Sequence, residues 1–309
     1  MANILISNMY YTGSAALPNI FDTIVTDDEK YSYVLNTLTN ENVYISDINQ
    51  EIAVGIFNST LAFKNRVIAD GGVIGNYSKL IKAFNYIRLN SLTSFAALSL
   101  CFAYKVNTAN QLTKLYSLSG ANFDAIVDTP TRCKKNGFNI QTTSTSATSI
   151  TIQSPFRPQN ALFGISGEFL SATEAGGITL GTQNTAATSG ITAYESIALA
   201  ALNGISTGTY RNTGNASTAR TLAQDRNYNK NGVALLLSDA VRAYSDAYAN
   251  DLMYSYTTAK QDMSSTDCYV NIRLSSSAGS GSNTQFREAW FIANSTTTIA
   301  KSLSQYLNY

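Results

Sequence analysis

CYVNIRLSSSAGSGSNTQFREAWFIANSTTTIAKSLSQYLNY, residues 268–309, is the stretch whose reading decides the fold. It runs strand, Gly/Ser loop, second strand, polar turn and short terminal helix. CYVNIRLS (268–275) alternates apolar and polar residues at the period of a strand. The next strand, Phe286–Asn294, carries an Arg287-Glu288 pair among aromatics, and its context makes Trp290 a core residue and not a platform for stacking a ligand. From Thr298 to Tyr309 the apolar residues Ile299, Leu303, Tyr306 and Leu307 recur at helical spacing.

Working outward, the chain from about Leu92 onward reads almost entirely as strand. SITIQ (149–153), ALFGISGEFL (161–170), GITL (177–180) and GVALLLS (232–238) are strands by composition, with turn signals at Asn136-Gly137, Gly176-Gly177, Asn203-Gly204, Asn231-Gly232 and Gly279-Ser280-Gly281. The Ala-rich stretch Tyr194–Ala200 alternates like a strand, with a helix as the alternative. Short strands at such spacing favour a sandwich. The closing segment resembles that of concanavalin A-like (laminin-G-like) domains, in which a "G-x-I-R-E-x-x-I-x-N" strand is followed by a small closing helix. The paired strands expected before it are matched by GVALLLSDAVRAYSDAYANDLMYSYTT. The resemblance implies a mainly β fold, a jelly-roll sandwich over 92–309 with a short C-terminal helix.

Residues 1–91 differ. A helix is predicted over Asn76–Asn90, where Leu80, Ile81, Phe84 and Ile87 share one face and Lys79, Lys82, Asn85 and Arg88 the other. YSYVLNTL and NVYISDI alternate like short strands, or a helix capped by Asp27 or Asp28 runs through Tyr31, Val34 and Leu35. Between them FKNRVIADGGVIGN reads as a basic strand-like piece and a turn at Asp70-Gly71-Gly72 feeding the helix. Two phrases here, RVIADGG and then Ala103-Tyr104-Lys105 with Lys114-Leu115-Tyr116-Ser117, resemble in kind and order a module of tailed-bacteriophage virion proteins. That resemblance covers about a sixth of the chain. It implies a smaller N-terminal α+β module, 1–91, that attaches the sandwich to a particle.

Composition bounds the chemistry. Charged residues are 13% of 309 and the net charge is +1, so electrostatic capture of nucleic acid or of an anionic membrane is not expected. With no His, Ser-His and Cys-His nucleophile schemes are excluded. Cys101, Cys133 and Cys268 are too scattered for zinc or a disulfide framework and read as buried free thiols. The start, MANILISNMYYTG, lacks a basic n-region, so a secretory signal is not expected. The longest apolar run, Ser94–Tyr104, falls short of the roughly 20 residues that span a bilayer.

Candidate sites are few. A glycosidase in a concanavalin A-like fold is expected to show an E-x-D-x-E strand; none occurs, and Glu168 and Glu174, the nearest pair, read as turn carboxylates. Asp239, Asp246, Asn250 and Asp251 offer oxygens for calcium, but their spacing fixes no coordination shell and a polar hairpin accounts for them. Asp70-Gly71-Gly72 with Gly75 matches neither phosphate-cradling pattern. Arg132, Lys134 and Lys135 read as a solvated hairpin end. The loop 206–232, rich in Gly, Asn and Tyr, carries Tyr210, Arg211 and Tyr228, with Arg226, as contacts for a glycan or a neighbouring subunit. The expectation is a non-enzymatic virion protein of the tail, tail fibre or capsid surface, assembled in the host cytoplasm. Its partners would be other virion proteins, further copies of itself and, weakly, a host surface glycan, with no cofactor, metal, nucleic acid or membrane insertion. The alternatives are a secreted lectin or adhesin and a polysaccharide depolymerase.

Overall fold

A computed structural model of the chain describes residues 20–137, 139–142, 148–169, 176–183, 193–200, 204–210, 217–223, 229–238, 240–245, 248–255, 263–276 and 284–307. Three helices come first: α1 (Asp27–Asn40), α2 (Gln50–Ala69) and α3 (Tyr77–Leu89). Each starts at a polar side chain that accepts a backbone N–H of the first turn: Thr26, Asn49 and Asn76. At Thr26 the cap is reciprocal, since the Glu29 carboxylate accepts the Thr26 N–H. The helical alternative for residues 27–40 is therefore the one adopted, with its cap one residue before Asp27. The phrase NVYISDI holds no regular strand.

The strand-like reading of Phe63–Ala69 is corrected: these residues are the last two turns of α2. Ala53, Ile56, Phe57, Thr60, Phe63 and Val67 form its buried stripe, a 3.6-residue period that shows only when the helix is followed from its start. With Phe21, Val34, Leu38, Ile48 and Ile81 the first half of that stripe builds a separate helical core, in which Phe21 stacks on Phe57 and Tyr77.

The strands follow in chain order. The shorter strands come first: β1 (Val73–Ile74), β2 (Phe95–Ser99), β3 (Ala103–Val106), β4 (Leu112–Leu115), β5 (Ala125–Val127), β6 (Cys133–Asn136), β7 (Asn139–Thr142) and β8 (Thr148–Ile152). Longer strands come next: β9 (Ala161–Phe169), β10 (Gly176–Gln183), β11 (Ala193–Ala200), β12 (Gly204–Tyr210), β13 (Ser217–Ala223), β14 (Asn229–Leu236), β15 (Ala240–Ser245), β16 (Tyr248–Ser255), β17 (Tyr269–Ser276) and β18 (Thr284–Ile292). Helix α4 (Thr297–Leu307) closes the chain.

The protein is mainly β. One sheet is ordered β1-β3-β4-β5-β8-β17-β10-β11-β12-β13; the other is β16-β15-β14-β9-β18-β7-β6, with β2 also on β18, and the pairings are antiparallel. Ile150, Ile178, Ile197 and Ile272 of the first meet Phe163, Ile165, Phe286 and Phe291 of the second in one core, the sandwich expected from the closing segment. The second sheet is buried on its other face as well. There Leu162, Val233, Leu235, Trp290 and Ile292 lie under α3, α4 and the end of α2. Burial on both faces explains why VALLL and WFI are continuous apolar runs and not alternating ones.

Other expectations need adjusting. Tyr194–Ala200 is strand, not helix. Gly176-Gly177 opens β10 and Gly204 opens β12, while Asn231-Gly232 lies within β14, so these glycines are ladder residues and not turns. Asn136-Gly137 is a turn, with Gly137 at φ 58° between paired Asn136 and Asn139. Gly279-Ser280-Gly281 lies outside the described residues.

Candidate functional site

The two phrases that set the N-terminal half apart meet in space. The last turn of α2 supplies Arg66, and Asp70 caps its C-terminus. Gly71 follows at φ 72°, a left-handed conformation that suits a residue without Cβ, and turns the chain into β1. Lys105 comes from β3 and Lys114 from β4, with Tyr116 just beyond, and Asp124 follows the short 3-10 turn Ala121–Phe123.

Asp124 is the hub. Its carboxylate accepts both 2.9 and 2.8 Å bonds from Arg66 Nη1, lies 2.9 Å from Lys114 Nζ, and accepts the Ser117 N–H at 2.9 Å. Arg66 Nη2 donates to the Ser117 carbonyl at 2.7 Å. Asp70 is the second hub, taking Tyr116 Oη–H at 2.7 Å and Lys114 Nζ at 3.1 Å, while Lys105 Nζ donates to its carbonyl at 2.5 Å. Arg66 and Lys114 also lie over the Tyr116 ring, 5.7 and 4.6 Å from its centre. A methyl group at Gly72 would come within 2.5 Å of that ring, so the turn closes directly on it.

The electrostatics fix these charge states. The Tyr116 hydroxyl first, then Lys114, hold the Asp70 carboxyl at about 2. Burial, then Asp70, pushes the Tyr116 phenol well above its usual value. For Lys114, burial pulls the ammonium down, but the hydrogen bonds to Asp124 and Asp70 outweigh it and leave it raised. A proton-transfer pair needs groups poised near the working pH. Asp70 and Tyr116 are driven away from neutrality in opposite directions, so their hydrogen bond is a fastener.

The site residues expected from sequence are only partly placed. Tyr210 is the last residue of β12, in register with Ser217, while Arg211 and Tyr228 lie outside the described residues. The stretch 206–232 is not one long loop: most of its described residues belong to β12, β13 and β14. Glu168 is in β9, opposite Asn229 and Gln285, and Glu174 lies outside the described residues. Asn250 and Asp251 are strand residues of β16; Asp239 and Asp246 lie outside the described residues between paired strands. Among the described residues no group of three His, Cys, Asp or Glu side chains is placed to hold a metal ion, and no helix is long and apolar enough to cross a membrane. Trp290 is fully buried, as expected. Lys134 and Lys135 lie on β6 at the Gly137 hairpin, also as expected.

Sequence reading missed Asp124 and the cluster at Glu288. Asp124 stands 58 residues from Arg66 in a stretch without motif, and its one signal was the scarcity of charge around it. Trp290 Nε1–H donates to Glu288 Oε1 at 2.5 Å, and the Tyr306 hydroxyl reaches the same carboxyl.

No family model matches the chain, and no curated protein matches it. Among solved structures it is similar to Trypanosoma rangeli sialidase in complex with sialic acid, at 9% identity and a TM-score of 0.44 over 69% of this chain and 32% of the sialidase. It is also similar to the VIP36 exoplasmic/lumenal domain in its Ca2+/Man-bound form, at 10% identity and a TM-score of 0.36 over 52% of this chain and 80% of that one. The chain thus spans about a third of the length of the sialidase. Likenesses this distant bear on neither activity nor ligand.

Proposed function

We propose that the chain is a non-enzymatic structural component of a bacteriophage virion, in the tail, a tail fibre or the capsid surface, and that it works by assembly. The observation that carries this reading is the junction itself. Arg66 and Asp70 of the first virion-like phrase and Lys114 and Tyr116 of the second hold one another and Asp124, so the phrases act as one structural unit. Such a unit makes the helical part and the sandwich mechanically continuous, which suits an attachment module carrying a displayed domain. The partners are other virion proteins and further copies of the chain in a symmetric array, assembled in the host cytoplasm. A weak host-glycan contact near Tyr210, Arg211 and Tyr228 belongs to the same proposal, because many copies compensate for low single-site affinity.

The test is the composition of the particle. Purified virions are expected to contain the chain at a fixed copy number, and cryo-electron microscopy to place residues 20–91 against a neighbouring virion protein. A chain missing from particles would overturn the reading. Shortening of a host capsular polysaccharide that disappears on Glu168→Gln would replace it with a depolymerase.

A further inference from the structure

The net charge of +1 conceals a division along the chain. Residues 22–51 hold seven carboxylates and one ammonium, residues 52–137 hold ten cations and three carboxylates, and residues 138–309 hold ten of each sign. An acidic block is therefore followed by a basic one, and the remainder is balanced.

Part of the imbalance is settled within one copy. Asp22 pairs with Lys64, Glu41 with Lys79 and Asp47 with Arg88, each bond crossing from the acidic block to the basic one. Asp70 and Asp124 take up Arg66, Lys105 and Lys114. What is left gathers at two places. At the first, a 2.7 Å bond from Gln50 Nε2 to Asp28 brings the first turns of α1 and α2 together, and with them the exposed Asp27, Asp28 and Glu51. Lys30 offsets Asp27 in part. At the second, exposed Lys134 and half-buried Lys135 stand on β6, the last strand of the second sheet. Successive strand residues point to opposite sides, so the two lysines straddle that edge. Lys135 lies 5.6 Å from the centre of the Tyr104 ring, and among the described residues no ion pair joins either lysine to a carboxylate.

Each group has a local role. Carboxylates in a first turn complement the helix dipole, and lysines on an edge strand deter pairing with another strand. Neither role calls for apolar surface beside the charge. Yet Tyr44, 80% exposed, and Val25, 74% exposed, are the most exposed large apolar side chains among the described residues, and both belong to the acidic segment. Apolar anchors within a charged rim are the make-up of a protein–protein contact. Helix α1 enters only the helical core, whereas β6 belongs to the sandwich through Cys133. The two surfaces thus lie on different units of one copy, and a contact between them joins two copies.

We propose that the acidic face is occupied by a second copy of this chain: Lys134 and Lys135 of one copy dock against Asp27, Asp28 and Glu51 of the next, with Tyr44 and Val25 in the contact. Because the two surfaces differ, each copy gives one contact and receives one, which builds rings or files and not closed pairs. The inference rests on the assembly reading and names the contact through which copies join. Particle content tests that reading and association of the purified chain tests this one, so each can fail alone.

The test is sedimentation velocity of the full chain over a range of concentrations, at about 50 mM and about 500 mM salt. Association is expected to grow with concentration at the lower salt and to weaken at the higher. Asp27→Asn with Glu51→Gln, and separately Lys134→Gln with Lys135→Gln, are each expected to weaken it about tenfold, with an unchanged circular dichroism spectrum. Each doubly substituted chain keeps the surface that the other lacks. Their equimolar mixture is therefore expected to form one-to-one dimers that grow no further, where the wild-type chain forms larger species. A chain that stays monomeric under every condition would overturn the proposal. So would association that either pair of substitutions leaves unmoved, or a mixture in which the two substituted chains do not pair.

Discussion

Asp124 shows what a scarce charge does in this protein. Its carboxylate is almost wholly buried and is neutralised by Arg66 and Lys114, themselves partly buried, with a backbone N–H completing its shell. Such an arrangement contributes modestly when whole, because two partly desolvated cations offset the Coulombic gain, but removing Asp124 leaves the Arg66 guanidinium without a carboxylate and Lys114 with Asp70 alone. Asp124→Ala is therefore expected to destabilise the chain by about 3 kcal/mol in urea denaturation. Asp124→Asn should cost less, since its amide oxygen can still accept from Arg66. A cost for Asp124→Ala near the ~0.5 kcal/mol of an ordinary surface change would show that the junction fastens nothing. Tyr116 belongs to the second phrase, but its physical role is to hold Asp70 across the turn, which no single-residue property reveals.

At the scale of elements, legibility followed the length of the periodic signal. The terminal helix, β8, β9, β10, β14 and β17 were readable because each is a run of β-branched and apolar residues or a clean amphipathic stripe. Helix α2 was not, because its final seven residues, FKNRVIA, are too short to show the helical period when cut from Ala53, Ile56 and Phe57. Glycines misled in the opposite sense. Asn231-Gly232 has the composition of a turn, but Gly232 pairs with both Ile165 and Ser245, a three-strand environment that no local window contains. Of the candidate site, the phrases were legible and the hub Asp124 was not, since only the fold closes those 58 residues. Gly75 joins these elements at their tightest approach. Its N–H donates to the Phe102 carbonyl at 3.0 Å and the Asn76 N–H to the Cys101 carbonyl at 2.7 Å, which draws the start of α3 onto the β2–β3 turn. A methyl group there would stand 1.9 Å from the Leu100 carbonyl oxygen, a backbone atom that cannot rotate aside. Gly75→Ala is expected to cost about 2 kcal/mol and to lower the thermal midpoint. An unchanged midpoint would mean that the turn moves freely and does not seat α3.

The whole molecule is tied together where α3, β18 and α4 converge. A bulge between Phe286 and Glu288 shifts the register of β18, after which Ala289 and Phe291 face the inter-sheet core and Glu288, Trp290 and Ile292 face the helices. Glu288 is thereby held against Trp290 and Tyr306, and Tyr86 of α3 packs edge-on to Trp290 at 5.1 Å. Lys82 lies 5.1 Å from the centre of the Tyr306 ring. Burial raises the Glu288 carboxyl, against the lowering effects of Trp290, Tyr306, Lys82 and Lys79. Burial first, then Lys79, lowers the Lys82 ammonium. The sign follows from linkage: with a folded pKa above the unfolded 4.5, Glu288 supplies stability that is fully present below about pH 4.5 and is lost as pH rises through the folded value. Asp70 acts on the other limb, because its folded value of about 2 lies below 3.8; its contribution is present above about pH 4 and is lost as pH falls toward 2. Glu288→Gln keeps the shape and an acceptor for Trp290 but cannot ionise. The stability of the wild-type chain relative to Glu288→Gln, measured by urea denaturation at a series of pH values, is expected to decline as pH rises above 4.5 and to level off once the folded value is passed, while Asp70→Asn flattens only the acid limb. A wild-type-minus-variant difference that stays constant between pH 4.5 and 8 would mean that the Glu288 carboxyl ionises in the folded chain as easily as in water, and that the seam between the helical unit and the sandwich carries no buried proton.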